Sequence, residues 1–97
     1  MSACVIGAVH VTDPAGIQEY AEKVGATVDK YGGHDEVRGK VVEVLEGDLN
    51  PHMTAVIAFE TVDDARRWYE SEEYSAVKEV RQRSARTDLL LLQSVDH

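Results

Sequence analysis

Arg38 and Arg81 offer the most direct chemistry in this chain, because a guanidinium presents a planar fork of donors that fits a carboxylate, an enolate or a phosphate. Arg38 falls in a strand-like stretch with Lys40, Val42, Val44 and Glu46 on its side, and Arg81 stands one turn beyond Val77 in a helical one. Either can anchor an anionic ligand. Alternatively, Arg81 closes a structural ion pair with Glu46, Glu60 or Glu73. Seven residues before Arg81 ends the run Trp68-Tyr69-Glu70-Ser71-Glu72-Glu73-Tyr74, which crowds rings, hydroxyls and charge into a short space. Trp68 and Tyr69 are adjacent on a helix and face different directions, so Trp68, three after Ala65, takes the core side. Tyr74 opens the next helix, where its hydroxyl either donates to a ligand oxygen or fixes the helix break against a sheet. Trp68 and Tyr74 therefore join Arg38 and Arg81 as candidate substrate-binding residues.

Proton transfer near neutral pH points to histidine, whose imidazole has an ordinary pKa of about 6.5. Of the four, His10 shares a strand face with Ile6 and Ala8, His34 follows a Gly-Gly turn beside Asp35, His52 sits in a loop and His97 ends the sequence. His10 and Glu60 are the candidate catalytic residues. His34-Asp35 has the composition of a dyad only, since neighbours in sequence seldom point at each other and no nucleophile motif accompanies them. No His-x-x-x-His or His-Glu-x-x-His spacing places two metal ligands on one helix face. Gly32-Gly33 ends a helix, whereas a phosphate cradle opens one. The acids at Glu70, Glu72 and Glu73 read as helix-start charge rather than a calcium site. Neither metal nor cofactor is expected.

The elements that must position these groups follow from periodicity. Cys4 to Val11 is an apolar strand that stops at Thr12-Asp13-Pro14, a cap followed by proline at the first helical position. Ile17, Tyr20, Ala21, Val24, Val28 and Tyr31 then make one helical stripe down to Gly32-Gly33, which Gly25 weakens without ending. Val37 to Glu46 and Met53 to Glu60 read as strands forming a hairpin-like pair across the turn residues Gly47 to Pro51. Thr61 caps a short helix through Tyr69, Ser71 opens another to about Ala85, and Thr87 to Ser94 closes with a strand. The order β-α-β-β-α-β predicts a single α+β domain over residues 1–97, a ferredoxin-like antiparallel sheet with its helices on one face and the second helical region split in two.

Strand faces add an expectation about assembly. Met53, Ala55, Ile57 and Phe59 oppose Thr54, Val56 and Ala58, while Leu89 and Leu91 oppose Leu90 and Leu92, so both faces of the sheet are largely apolar. A solvated face would alternate with polar residues. A second copy of the same surface is the simplest cover, two sheets closing around a two-fold axis into a homodimer.

Composition narrows the partners. With 97 residues the chain is one small domain, and its formal charge of -8 disfavours nucleic acid and anionic lipid. No apolar run spans a membrane, and Met1-Ser2-Ala3 leads into a strand-like segment without the basic region or cleavage site of a signal peptide. Cys4 is the one cysteine and reads as a small buried hydrophobe. A cytoplasmic location is expected.

Taken together, Thr12-Asp13-Pro14 followed by Tyr20, then Tyr31-Gly32-Gly33, Arg38-Gly39, Leu45-Glu46-Gly47, Trp68-x-x-Ser71-x-x-Tyr74 and Arg81 resemble the bacterial family called domain of unknown function 1330, within the dimeric α+β barrel superfamily. The resemblance covers almost the whole chain. It implies the ferredoxin-like fold and a homodimer without implying an agreed reaction, since related branches include cofactor-free oxygenases, isomerases and haem proteins. Where the family pattern ends strand three with Glu-Phe-Pro, this chain reads Ala58-Phe59-Glu60, moving the carboxylate two positions along one strand face.

The expected function is a small-molecule-binding homodimer with a pocket between sheet and helices, acting as a cofactor-independent isomerase, lyase or oxygenase on a small polar or anionic substrate. Its rivals are a non-catalytic ligand-binding or accessory dimer, and an interaction module that meets a basic partner through a sheet edge or the acidic surface.

Overall fold

The computed structural model of the protein describes residues 2–95, so His97 lies outside the described residues. The chain runs β1 (Ala3–Val11), α1 (Pro14–Lys30), β2 (His34–Lys40), β3 (Met53–Phe59), α2 (Val62–Glu70), α3 (Glu72–Ser84) and β4 (Ala85–Gln93).

Local chemistry sets the boundaries. Pro14 begins α1 where a backbone N–H would have no helical partner. The Asp13 side chain makes no capping bond; instead the Thr12 and Asp13 N–H groups both donate to the Ser84 carbonyl at 2.9 Å, fastening the start of α1 to the end of α3. Gly16 permits that approach, because a Cβ there would lie 1.9 Å from Ser84 Oγ. At the other end Gly32 takes φ +79°, with Gly33 N–H donating to Val28 O and Gly32 N–H to Asp29 O, a Schellman motif that satisfies two terminal carbonyls. Thr61 Oγ1 accepts from Asp64 N–H at 3.0 Å to start α2. Ser71 makes the helix break in both directions: its hydroxyl donates to Trp68 O at 2.7 Å and accepts from Tyr74 N–H at 3.1 Å.

The strands form one antiparallel sheet in the order β2-β3-β1-β4, with the helices on one face, which is the expected ferredoxin-like arrangement. Register fixes the two faces. The row Arg38–Ala55–Gly7–Leu89 and the row Asp35–Ile57–Val5–Leu91 lie toward the helices. The row Val37–Val56–Ile6–Leu90 lies on the open face. An irregularity between Asp35 and Val37 breaks the alternation of β2, so Asp35 and Arg38 share the helix side while Val37 looks away.

One strand is shorter than expected. The alternation from Val37 to Glu46 predicts a strand throughout, whereas β2 stops at Lys40 and Val42 is 96% exposed. An edge strand extends only as far as its partner, and β3 begins at Met53, just after Pro51, which has no N–H to give a ladder. Val41 N–H still reaches His52 O at 3.0 Å, and beyond that pair the chain loops out through Gly47 at φ +94°.

Between sheet and helices, Val5, Val24, Val28, Ile57, Phe59, Ala65, Trp68, Tyr74 and Val77 form the core, with Tyr20, Tyr31 and Leu89 packed at its edge. Trp68 sits at the centre, its ring centroid 4.0 Å from that of Tyr74 and 5.6 Å from that of Phe59.

Candidate functional site

A cavity opens between α1, α3 and the helix-facing side of β1, β2 and β3. Val9, Ile17, Val24 and Ile57 give it apolar walls, and Tyr20, Asp35, Arg38 and Arg81 also line it while adding almost no polar surface to it. The free space is about 60 Å³ in the isolated chain. That is enough for several water molecules and well below the roughly 300 Å³ at which drug-sized pockets begin. Any ligand is small, or the walls move.

Arg81 is the electrostatic centre. It is only 6% exposed, yet no carboxylate among the described residues pairs with it. The glutamates that sequence alone offers are elsewhere: Glu73 pairs with Lys30 and accepts from the Tyr31 hydroxyl at 3.0 Å, Glu46 lies in the β2–β3 loop, and Glu60 is exposed. Arg81 instead donates through Nε to the Tyr74 hydroxyl at a long 3.4 Å, and that hydroxyl lies 2.9 Å from the Tyr20 hydroxyl. Burial pushes the Tyr20 phenol well above its ordinary pKa, with Arg81 pulling the other way. The phenol therefore stays protonated through the neutral range and serves as a hydrogen-bonding group rather than a base. At the cavity wall Arg38 is ion-paired with Asp35 three residues before it, the two brought to one side by the β2 irregularity.

Of the sequence-derived candidates, Arg38 and Arg81 line the cavity. Tyr74 does not reach it. The ring is fully buried, which corrects the expectation of a hydroxyl near the sheet edge, and its link to the cavity runs through Tyr20 and Arg81. Trp68 is likewise fully buried, and its one donor, Nε1–H, is taken by Thr27 Oγ1 at 3.0 Å, so it offers a ligand neither surface nor a free polar atom. His10 belongs to the register that faces away from the helices, paired with Arg86, and is therefore on the opposite side of the sheet from the cavity. Its ring centroid is 6.0 Å from that of His52, and its Nδ1 is buried without a partner among the described residues. His52 spends Nδ1 accepting from Val11 N–H at 2.8 Å, which pins the loop to the end of β1. Glu60 follows the far end of β3 from Met53, exposed and outside the cavity lining. His34 bonds Glu36 at 2.7 Å rather than its neighbour Asp35. Among the described residues, no three His, Cys, Asp or Glu side chains are placed to share a metal ion. None of their helices is long and apolar enough to cross a membrane.

Tyr20 and Asp35 are the cavity residues that sequence reasoning did not single out. Tyr20 carried a signal, since a tyrosine in an apolar helix stripe needs a partner for its hydroxyl. Asp35 carried none, because its side depends on the irregularity that follows it.

Solved structures with this fold are divergent in sequence. The protein of unknown function RPA0582 from Rhodopseudomonas palustris is 15% identical, with a TM-score of 0.77 over 98% of this chain and 83% of that one. SnoaB, a cofactor-independent oxygenase from Streptomyces nogalater, is 11% identical, with a TM-score of 0.70 over 99% of this chain and 95% of that one. At3g17210 from Arabidopsis thaliana is 13% identical, with a TM-score of 0.77 over 100% of this chain and 98% of that one. At such identities the likeness shows the fold, a ferredoxin-like α+β sheet, and leaves the chemistry open. No curated protein matches the sequence. A family model does match it over residues 2–95, and on that match the chain belongs to the family described as Domain of unknown function (DUF1330).

Proposed function

We propose that this protein is a homodimer that binds a small organic anion in the cavity between α1, α3 and the sheet, with Arg81 as the anchor and Arg38 beside it. The observation that carries the reading is a buried guanidinium with no carboxylate partner among the described residues, beside an apolar-walled space. Burying a charge unpaired is costly, and an entering anion removes that cost while its apolar body fills the space against Val9, Ile17, Val24 and Ile57. The open sheet face, with Leu90 61% and Val37 57% exposed, supports pairing with a second copy.

Catalysis in this site would be cofactor-independent and would rest on oxyanion stabilisation, with Arg81 and the protonated Tyr20 facing an enolate or tetrahedral oxygen. Asp35 is the one carboxylate among the lining residues and takes the proton-transfer role in place of His10 and Glu60. The fold likeness to a cofactor-independent oxygenase supports this class. The ion pair between Asp35 and Arg38 favours the second reading, a binding protein without turnover, because a carboxylate held by a guanidinium is a weak base.

Native mass spectrometry of the gently purified protein tests the proposal. The expected species is two chains with a small acidic adduct that is lost in Arg81→Ala while the dimer persists. A bare monomer removes the dimer, and an adduct indifferent to Arg81 removes the anchor.

A further inference from the structure

The Tyr74 hydroxyl has one proton and two neighbours. Arg81 Nε is always a donor, so Tyr74 Oη accepts from it. Tyr74 is completely buried, and among the described residues the only other partner of its hydroxyl is Tyr20 Oη at 2.9 Å. Its own proton must therefore go to Tyr20. If Tyr20 donated instead, the Tyr74 proton would be buried with no acceptor and would carry the full desolvation cost of an unmade bond. Tyr20 is only partly buried and is among the residues that line the cavity, and its own proton is then left without an acceptor among the described residues.

We propose that the donor chain Arg81 to Tyr74 to Tyr20 ends in the cavity, so that Tyr20 presents an O–H beside the Arg81 guanidinium. The site then selects ligands whose head group is all acceptor, a carboxylate or an enolate, over an amide or an alcohol. The guanidinium at the head of the chain polarises each hydroxyl in turn, making Tyr20 a stronger donor and a poorer acceptor. Tyr20 is the specificity-determining residue. Tyr74 touches no ligand and acts as a positioning residue that fixes the direction of the chain. The ligand class rests on the organic-anion reading of the cavity; the direction of the hydroxyls does not.

Two measurements separate them. In protein carrying tyrosine labelled with ¹³C at Cζ, in mixed light and heavy water, a slowly exchanging hydroxyl gives a split Cζ signal and a rapidly exchanging one an averaged signal. The expected result is a split Tyr74 and an averaged Tyr20. A split Tyr20, or an averaged Tyr74, overturns the donor chain. Butyrate and butyramide are then titrated into the wild type, Tyr20→Phe and Arg81→Ala. Butyrate is expected to bind the wild type in preference to butyramide, and Tyr20→Phe to weaken butyrate about tenfold with a much smaller effect on butyramide. Butyrate binding that needs Arg81 and ignores Tyr20→Phe overturns this inference alone. A wild type that does not bind butyrate overturns the anion reading and the selecting role of Tyr20 with it, whatever the exchange pattern.

Discussion

The Trp68 indole N–H donates to the Thr27 hydroxyl at 3.0 Å, joining α2 to α1 through the middle of the core. Thr27 in turn donates to Val24 O at 2.7 Å, so both polar groups are satisfied without water. Thr27→Val keeps the shape and strands the indole N–H, and is expected to cost about 1–3 kcal/mol. Trp68→Ala empties the centre of the core and should cost about 3–5 kcal/mol. Urea unfolding of both variants checks the order. A neutral Thr27→Val would mean that the indole N–H has found another acceptor.

Arg81 separates ligand binding from stability. Arg81→Met replaces a buried charge that has no carboxylate partner among the described residues by an apolar chain of similar length, and such replacements of buried charges are often neutral or stabilising. The melting temperature of Arg81→Met should therefore equal or exceed that of the wild type, while binding of small carboxylates is lost. Arg81→Ala leaves a void and melts lower. A large drop in Arg81→Met would show that the guanidinium holds the fold together through Tyr74.

Most of the fold was legible because each boundary is written in a local residue choice: Pro14 opening α1, Gly32 closing it, and Thr61 and Ser71 capping the two later helices. β2 was misread beyond Lys40 because alternation records what a strand could bury, whereas its length depends on the partner, which begins only after Pro51. The site was half legible. Arg38 and Arg81 stand out by residue type, but Tyr20 and Asp35 become site residues only through contacts made at long range or through a local irregularity in strand pairing. Trp68 was placed on the core side and lies there, whereas Tyr74 was given a hydroxyl near the sheet edge and is fully buried, since a motif of aromatics does not say how deep the sheet will cover each ring.

Alkaline pH should expose the buried phenol. Tyr20 has a folded pKa raised above the unfolded value of about 10. Its contribution to stability is therefore complete below pH 10 and is lost as pH rises beyond it, because only the unfolded chain gives up the proton. Absorbance at the phenolate band should show fewer than all four tyrosines ionising before the chain unfolds. In Tyr20→Phe the fall of stability above pH 10 should be shallower. Ionisation of all four in a folded protein would contradict the burial of this hydroxyl.

Acid should loosen a different contact. The bond from Lys30, then a backbone N–H and the Tyr31 hydroxyl, hold the Glu73 carboxyl down to about 2 from its ordinary 4.5, tying the end of α1 to the first turn of α3. A lowered folded pKa means that this contribution is complete above pH 4.5 and disappears as pH falls from there through about 2. Glu73→Gln should be less stable than the wild type at neutral pH, with the gap closing across that window. The pair is exposed, so the gap should also shrink in high salt. A gap that stays constant from neutral pH to pH 2 would assign the loss to something other than the carboxylate.

The open sheet face makes the proposed homodimer testable with one substitution. Val37, Val56, Ile6 and Leu90 form a continuous apolar row across all four strands, and Cys4 and Leu92 extend it in the next row. Leu90 at 61% exposed is the residue of this row most open to solvent, so a change there disturbs the isolated chain least. Around a two-fold axis the same row meets itself, and every substitution enters the interface twice. Leu90→Lys therefore places two ammonium groups in one apolar contact, a desolvation cost that the gain from a surface of about 800 Å² per partner does not offset. Sedimentation should show the wild type as a dimer and Leu90→Lys as a folded monomer whose melting temperature no longer rises with concentration. If Leu90→Lys remains a dimer, the two copies meet through another surface, and the exposed valines and leucines of the 41–52 loop become the next place to substitute.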